Sequence, residues 1–178
     1  MADCEEPDGL RGRLVNLRPL LKTDLLKRLA MTNDRELERL SVGDITEDKT
    51  LADLENWFET LASDRRSRQL AIETREGSYV GDLDIHGIDP NSGEAWIAPF
   101  FGREVIENPE ILRDAVETAA RYARGELGVK KLSVEVLDIN EVALKVFRAL
   151  GFTRSGEIDH LTGVRSILLE SNIADLTV

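Results

Sequence analysis

Cysteine occurs once in the 178 residues, as Cys4. One thiol cannot form an intrachain disulfide, and its place in an acidic opening segment suits a reducing compartment. No apolar run approaches the ~20 residues that a bilayer-spanning helix needs. The opening Met1 to Pro7 has neither the basic nor the apolar stretch of a secretory leader. A cytoplasmic, soluble protein is expected. Positive charge is also scarce: 23 Lys and Arg against 34 Asp and Glu leave a formal net charge of -11. A field of that sign repels nucleic acid and anionic membrane and favours cationic partners.

What is present is the mixture of an ordinary folded chain, with 42% hydrophobic and 32% charged residues, far from disordered or membrane composition. The length suits one domain, since domains usually hold about 100–200 residues. Residues 1–10 read as a disordered acidic tail and residues 11–178 as the domain. Leu14, Leu17 and Leu20 bracket a first strand closed by Pro19. Thr23 and Asp24 cap a helix carrying Leu25, Leu26 and Leu29, and Asn33 and Asp34 precede a second with Leu37 and Leu40. Thr50 opens a further helix, in which Leu51, Leu54, Trp57, Phe58 and Leu61 recur at helical spacing.

Three strands follow at 69–74, 79–88 and 94–100, separated by turn residues at Arg75 to Gly77 and Asp89 to Gly93. Asn108 and Pro109 start a long helix that ends near Gly128. In the strand 130–137, Leu132, Val134 and Val136 alternate. Asn140 caps the next helix, Gly151 stands where its left-handed terminating residue belongs, and two strands close the chain at 152–159 and 164–170. The long helix is a crossover, so the strands on either side of it are expected to run parallel within an otherwise antiparallel sheet. The fold class is α/β (α+β): one domain with a mixed, mostly antiparallel sheet and flanking helices.

That order of elements, together with the stretch from Lys130 through Asn140, Ala143 and Phe147 to Leu150, Gly151 and Phe152, resembles the GNAT superfamily of acyl-CoA-dependent N-acyltransferases. Arg13 to Pro19 is similar to the family's first strand, and Trp96 to Pro99 to the strand that leads into its donor loop. The likeness covers roughly residues 12–170 and is greatest toward the branch of ribosomal-protein alanine N-acetyltransferases. It implies acetyl transfer from acetyl-CoA to a primary amine by direct attack on the thioester, in a cleft where the strands of Trp96 and Val134 splay beside Phe100 and Asp138. The amine would be a protein N-terminus or a cationic small molecule. A homodimer is allowed for, and no metal, nucleic acid or membrane partner is expected.

Carried onto this sequence, the resemblance places Ile97, Phe100, Gly102, Arg103, Asn140 and Phe147 at the donor. Asn140 also has a purely structural reading as a helix cap. The family's donor loop is rich in glycine, because backbone amides must approach a diphosphate closely. Here Phe100 to Glu110 keeps Gly102 alone, puts Val105 and Glu107 where glycine is expected, and adds Glu104 and Glu110. Arg103 is the compensating cation. A catalytically degenerate binding or assembly module is therefore the alternative.

An amine must lose its proton before it attacks, so the cleft needs a base. Glu94, at the start of its strand, is the leading candidate by resemblance. His86, which shares one face of its strand with Asp82 and Asp84, is the second. Phe147 stands where many family members carry an acidic tyrosine, so the thiolate is expected to take its proton from solvent.

Overall fold

The computed structural model describes residues 10–43, 47–61 and 63–177. The tail expected over residues 1–10 lies outside them except for Leu10, which is buried in the core. Strand β1 (Val15–Pro19) leads through a 3-10 turn at Lys22–Asp24 into α1 (Leu25–Thr32), α2 (Arg35–Val42) and α3 (Leu51–Leu61). A meander follows: β2 (Arg68–Thr74), β3 (Tyr79–Asp89) and β4 (Glu94–Phe101). The second half runs α4 (Arg103–Glu107), α5 (Glu110–Glu126), β5 (Lys131–Leu137), α6 (Glu141–Ala149), β6 (Thr153–Asp159) and β7 (Arg165–Asn172). All seven strands form one sheet in the order β1-β2-β3-β4-β5-β7-β6, and β4 and β5 are its one parallel pair.

The expected helix starts hold with one change. Asp34 caps α2 by accepting the amides of Glu36 and Leu37, and Thr50 and Asp53 exchange bonds across the first turn of α3. Asp24 does not cap α1 with its side chain. Its carboxylate turns back to the Leu21 amide at 2.9 Å and to the Arg18 guanidinium at 2.8 and 2.9 Å. A strong bidentate cation outbids the helix amides for the same oxygens. Gly151 has φ of +100°, as the end of α6 requires.

The core lies on one face of the sheet, where Leu70, Ile72, Leu83, Ile85, Ile97, Leu132 and Val134 meet Leu112, Ala115, Val116 and Ala119 of α5 and Phe147 of α6. The opposite face of the meander is covered by α1 and α3, with Met31, Trp57, Phe58 and Leu61 around Ala71 and Tyr79. Asp114 of α5 is buried and ties β1 to this frame, its carboxylate accepting the amides of Arg13, Leu14 and Val15 at 2.6 to 2.9 Å.

The Arg18 cluster carries a pH dependence. Burial alone would raise the Asp24 carboxyl, but the bonds from Arg18 and from the Leu21 amide outweigh it and hold that carboxyl below its ordinary value. A carboxyl lowered by folding lends stability that is present above its unfolded value and disappears as pH falls through the folded one. Asp24→Asn should therefore melt lower than wild type at neutral pH, and the two melting curves should converge on acidification. A gap that stays constant with pH would contradict this.

Candidate active site

Parallel strands β4 and β5 stay paired for only three positions, Glu94 with Lys131, Ala95 with Leu132 and Trp96 with Ser133. Beyond them β4 runs on to Phe101 along β3, and β5 runs on to Leu137 along β7. The two strands part, as the resemblance implies. Pro99, which has no N–H to offer a second ladder, falls within the freed stretch of β4. The gap holds a cavity of about 250 Å³ lined by Ala98, Pro99 and Phe101 of β4, Glu135, Val136 and Leu137 of β5, and Ser166 of β7. Leu40 and Ser41 of α2 and Asn140 and Ala143 of the α6 start complete it.

Glu135 is the one charged side chain among these lining residues. Its Oε1 lies 3.2 Å from His160 Nε2, and that nitrogen lies 2.7 Å from the buried Ser166 Oγ. Both contacts use Nε2, so the group is a cluster around one nitrogen rather than a relay through the ring. The backbone brings it together from two directions: Glu135 alternates outward from Val134 and Val136, and His160 stands in the hairpin between β6 and β7. Asn140 accepts the Ala143 amide at 3.1 Å and donates to Leu40 O at 3.2 Å, so one side chain caps α6 and fastens α2 over the cavity. Asn140 thus lines the cavity and fills the cap position read from the sequence.

The other expected residues are placed elsewhere. Glu94 is at the closed end of the parallel pair, beside Lys131 Nζ at 3.6 Å. His86 is on β3 opposite Trp96, the last position at which β4 is paired with β5, and does not line the cavity. Its Nδ1 lies 3.4 Å from Asp84 Oδ2 without a hydrogen bond. Ile97 and Phe147 both point into the core, where Phe147 meets Phe152 edge-on at 5.1 Å. Phe100 stacks on the Arg28 guanidinium at 4.5 Å, and Trp57 on the same guanidinium at 4.1 Å. Arg103 is bound to Asp34 at 2.7 and 2.8 Å and to Glu36 at 2.6 Å.

Glu135 was within reach of the sequence. Leu132, Val134 and Val136 fix the buried side of that strand, which leaves Glu135 as the last charged side chain on its other face before the strand ends. Between β4 and α5, by contrast, the expected loop is the short helix α4, because Val105 is fully buried and draws the chain into a turn that Gly102 starts. Among the described residues no helix is long and apolar enough to cross a membrane, and no cluster of three or more His, Cys, Asp or Glu side chains suits a metal ion.

Residues 14–153 match the family model described as an acetyltransferase (GNAT) domain. No curated protein matches the chain. Among solved structures, spermidine N-acetyltransferase from Vibrio cholerae in complex with CoA and spermine superposes with a TM-score of 0.80 at 16% identity, over 91% of this chain and 97% of that one. A dodecameric, intermediate-state structure of the same enzyme gives 0.73 at 16% identity, over 90% and 95%. At such identity the likeness is one of fold. The family match spans most of the chain and coincides with the splayed strands on which the site is built, and the protein belongs to the GNAT acetyltransferase domain family.

Proposed function

We propose that this chain transfers an acyl group, acetyl in the simplest case, from a CoA-type thioester to a cationic amine held in the β4–β5 opening. The observation that carries this reading is the position of Glu135, a carboxylate on the wall of a cavity between two strands whose facing edges are unpaired. Those edges present peptide groups to an amide-bearing arm, and the carboxylate attracts an ammonium and accepts its proton. His160 holds the carboxylate in place. The nitrogen then forms a bond to the acyl carbon, the C–S bond breaks, the nitrogen gives up its second proton to water, and the thiolate takes a proton from solvent.

A polyamine-like amine is the class we favour. The net charge of -11 supports it, as does the fold shared with an enzyme solved with spermine. A peptide N-terminus remains within the same chemistry. Assembly into a homodimer or larger ring and a cytoplasmic place of action belong to this reading too. The alternative, a binding module without turnover, is favoured by one observation, the acidic helical turn α4 that follows β4.

Purified protein mixed with acetyl-CoA or S-acetylpantetheine and a panel of amines, from spermidine to short peptides, should release free thiol in proportion to acetylated amine. Cationic amines should react fastest. Cooperative folding with no thiol release from any pair would overturn the reading in favour of the binding module.

A further inference from the structure

The turn between β4 and α5 does not fit a diphosphate. Such a cradle needs a run of outward-facing backbone N–H groups and open space beside them. Here the Gly102 amide is engaged by Val80 O at 2.9 Å, that of Val105 by Gly102 O at 3.2 Å, that of Asn108 by Glu104 O at 2.9 Å and that of Ile111 by Asn108 O at 3.0 Å, which leaves the Arg103 and Glu104 amides and the separate Glu110 amide at helix starts instead of a continuous run. Pro109 has none to give. The space at Gly102 is filled as well, since a Cβ there would stand 2.6 Å from Glu104 Oε2 and 2.8 Å from Met31 Cε. This glycine serves the chain's own packing.

Charge points the same way. Glu104, Glu107 and Glu110 are exposed around the turn, and Arg103, the cation of this stretch, is bound to the carboxylates of Asp34 and Glu36 at the start of α2. A diphosphate set there would meet like charge within a Debye length of about 8 Å at physiological salt. The cavity between the strands is different. It carries one charged lining residue and two unpaired strand edges, which suit a neutral, amide-bearing arm.

Resting on the acyl-transfer reading, we infer that the chain recognises its donor as a nucleotide-free acyl-thioester arm of the pantetheine type, and that the diphosphate of CoA adds no affinity. The transfer step is unchanged: one ammonium proton passes to Glu135, the N–C bond forms, the C–S bond breaks, the acylated nitrogen gives its second proton to water and the thiolate takes one from solvent.

Calorimetric titration of the full chain with CoA, dephospho-CoA and pantetheine tests this. The three dissociation constants should agree within about threefold, and added salt should leave CoA binding level or strengthen it slightly, since screening relieves repulsion. Glu104→Gln combined with Glu107→Gln, which keeps the helical backbone, should improve CoA binding relative to pantetheine. CoA binding about tenfold or more tighter than pantetheine, no measurable pantetheine binding, or weaker CoA binding in the double variant would each overturn the inference. The wild-type comparison decides the matter alone if the double variant does not fold. Failure of the acyl-transfer reading shows differently: equal binding of CoA and pantetheine with no thiol release refutes the activity and upholds the donor inference.

Discussion

Replacing Glu135 by glutamine should lower kcat by about 100- to 10,000-fold, the range a positioned general base contributes. The side chain keeps its shape and loses its capacity to accept the ammonium proton, so thioester binding should stay within a few-fold of wild type. The deficit should shrink at high pH, where the free amine forms unaided. Glu94→Gln and His86→Ala serve as controls. Glu94 lies at the closed end of the parallel pair and His86 on the neighbouring β3, and neither lines the cavity, so each should retain most of the activity. His160→Ala should fall between, because the imidazole only steadies the carboxylate at 3.2 Å. A loss below about tenfold in the Glu135 variant, or a large loss in the Glu94 variant, would return the base to β4.

The largest expected loss of stability comes from Asp82→Ala. Asp82 is 1% exposed and accepts the Tyr79 hydroxyl at 2.5 Å, Gln69 Nε2 at 2.5 Å and Arg28 Nε at 2.9 Å. Burial pushes its carboxyl up against the pull of Arg28, and burial followed by the charge of Asp82 pushes the Tyr79 hydroxyl up. Arg28 in turn lies between the Trp57 and Phe100 rings. Removing the carboxylate leaves that guanidinium in a mostly dry site without its counter-ion, which costs about 3–5 kcal/mol. At about 2–4 °C per kcal/mol for a chain of this size, Tm should fall by on the order of 10 °C in a calorimetric melt. Asp82→Asn keeps an acceptor and should fall less. A change of under about 2 °C in the alanine variant would show that Arg28 finds water instead, and that α1 and α3 are held to the sheet by apolar contact alone.

Periodicity was enough for the strands, the crossover and the caps at Asp34, Thr50 and Asn140, because each depends on neighbours a few residues away. Resemblance to the family added the splay of β4 from β5. What local pattern does not carry is sidedness and competition. Ile97 and Phe147 sit at motif positions, yet both face the core, since strand alternation puts Ile97 beside Ile85 and the helical stripe puts Phe147 against Phe152. Arg103 looks free in sequence and is bound by Asp34 and Glu36, about seventy positions away along the chain. His160 lies outside every motif and reaches Glu135 only because β7 pairs with β5. The same alternation that buries Val134 and Val136 exposes Glu135, so the residue assigned here as base was legible once the open end of the strand pair was fixed.

Acyl transfer in the gap between β4 and β5 is tested most directly by hydrogen exchange of the backbone amides there. The free strand edges over Ile97–Phe101 and Val134–Leu137 should exchange readily in the protein alone. They should become protected when S-acetylpantetheine is added together with a cationic amine to the inactive Glu135→Gln chain. Protection confined to those two segments and the start of α6 is the predicted result. Unchanged exchange there, with protection appearing at α4 and the first turn of α5 instead, would contradict both the site and the manner of donor recognition.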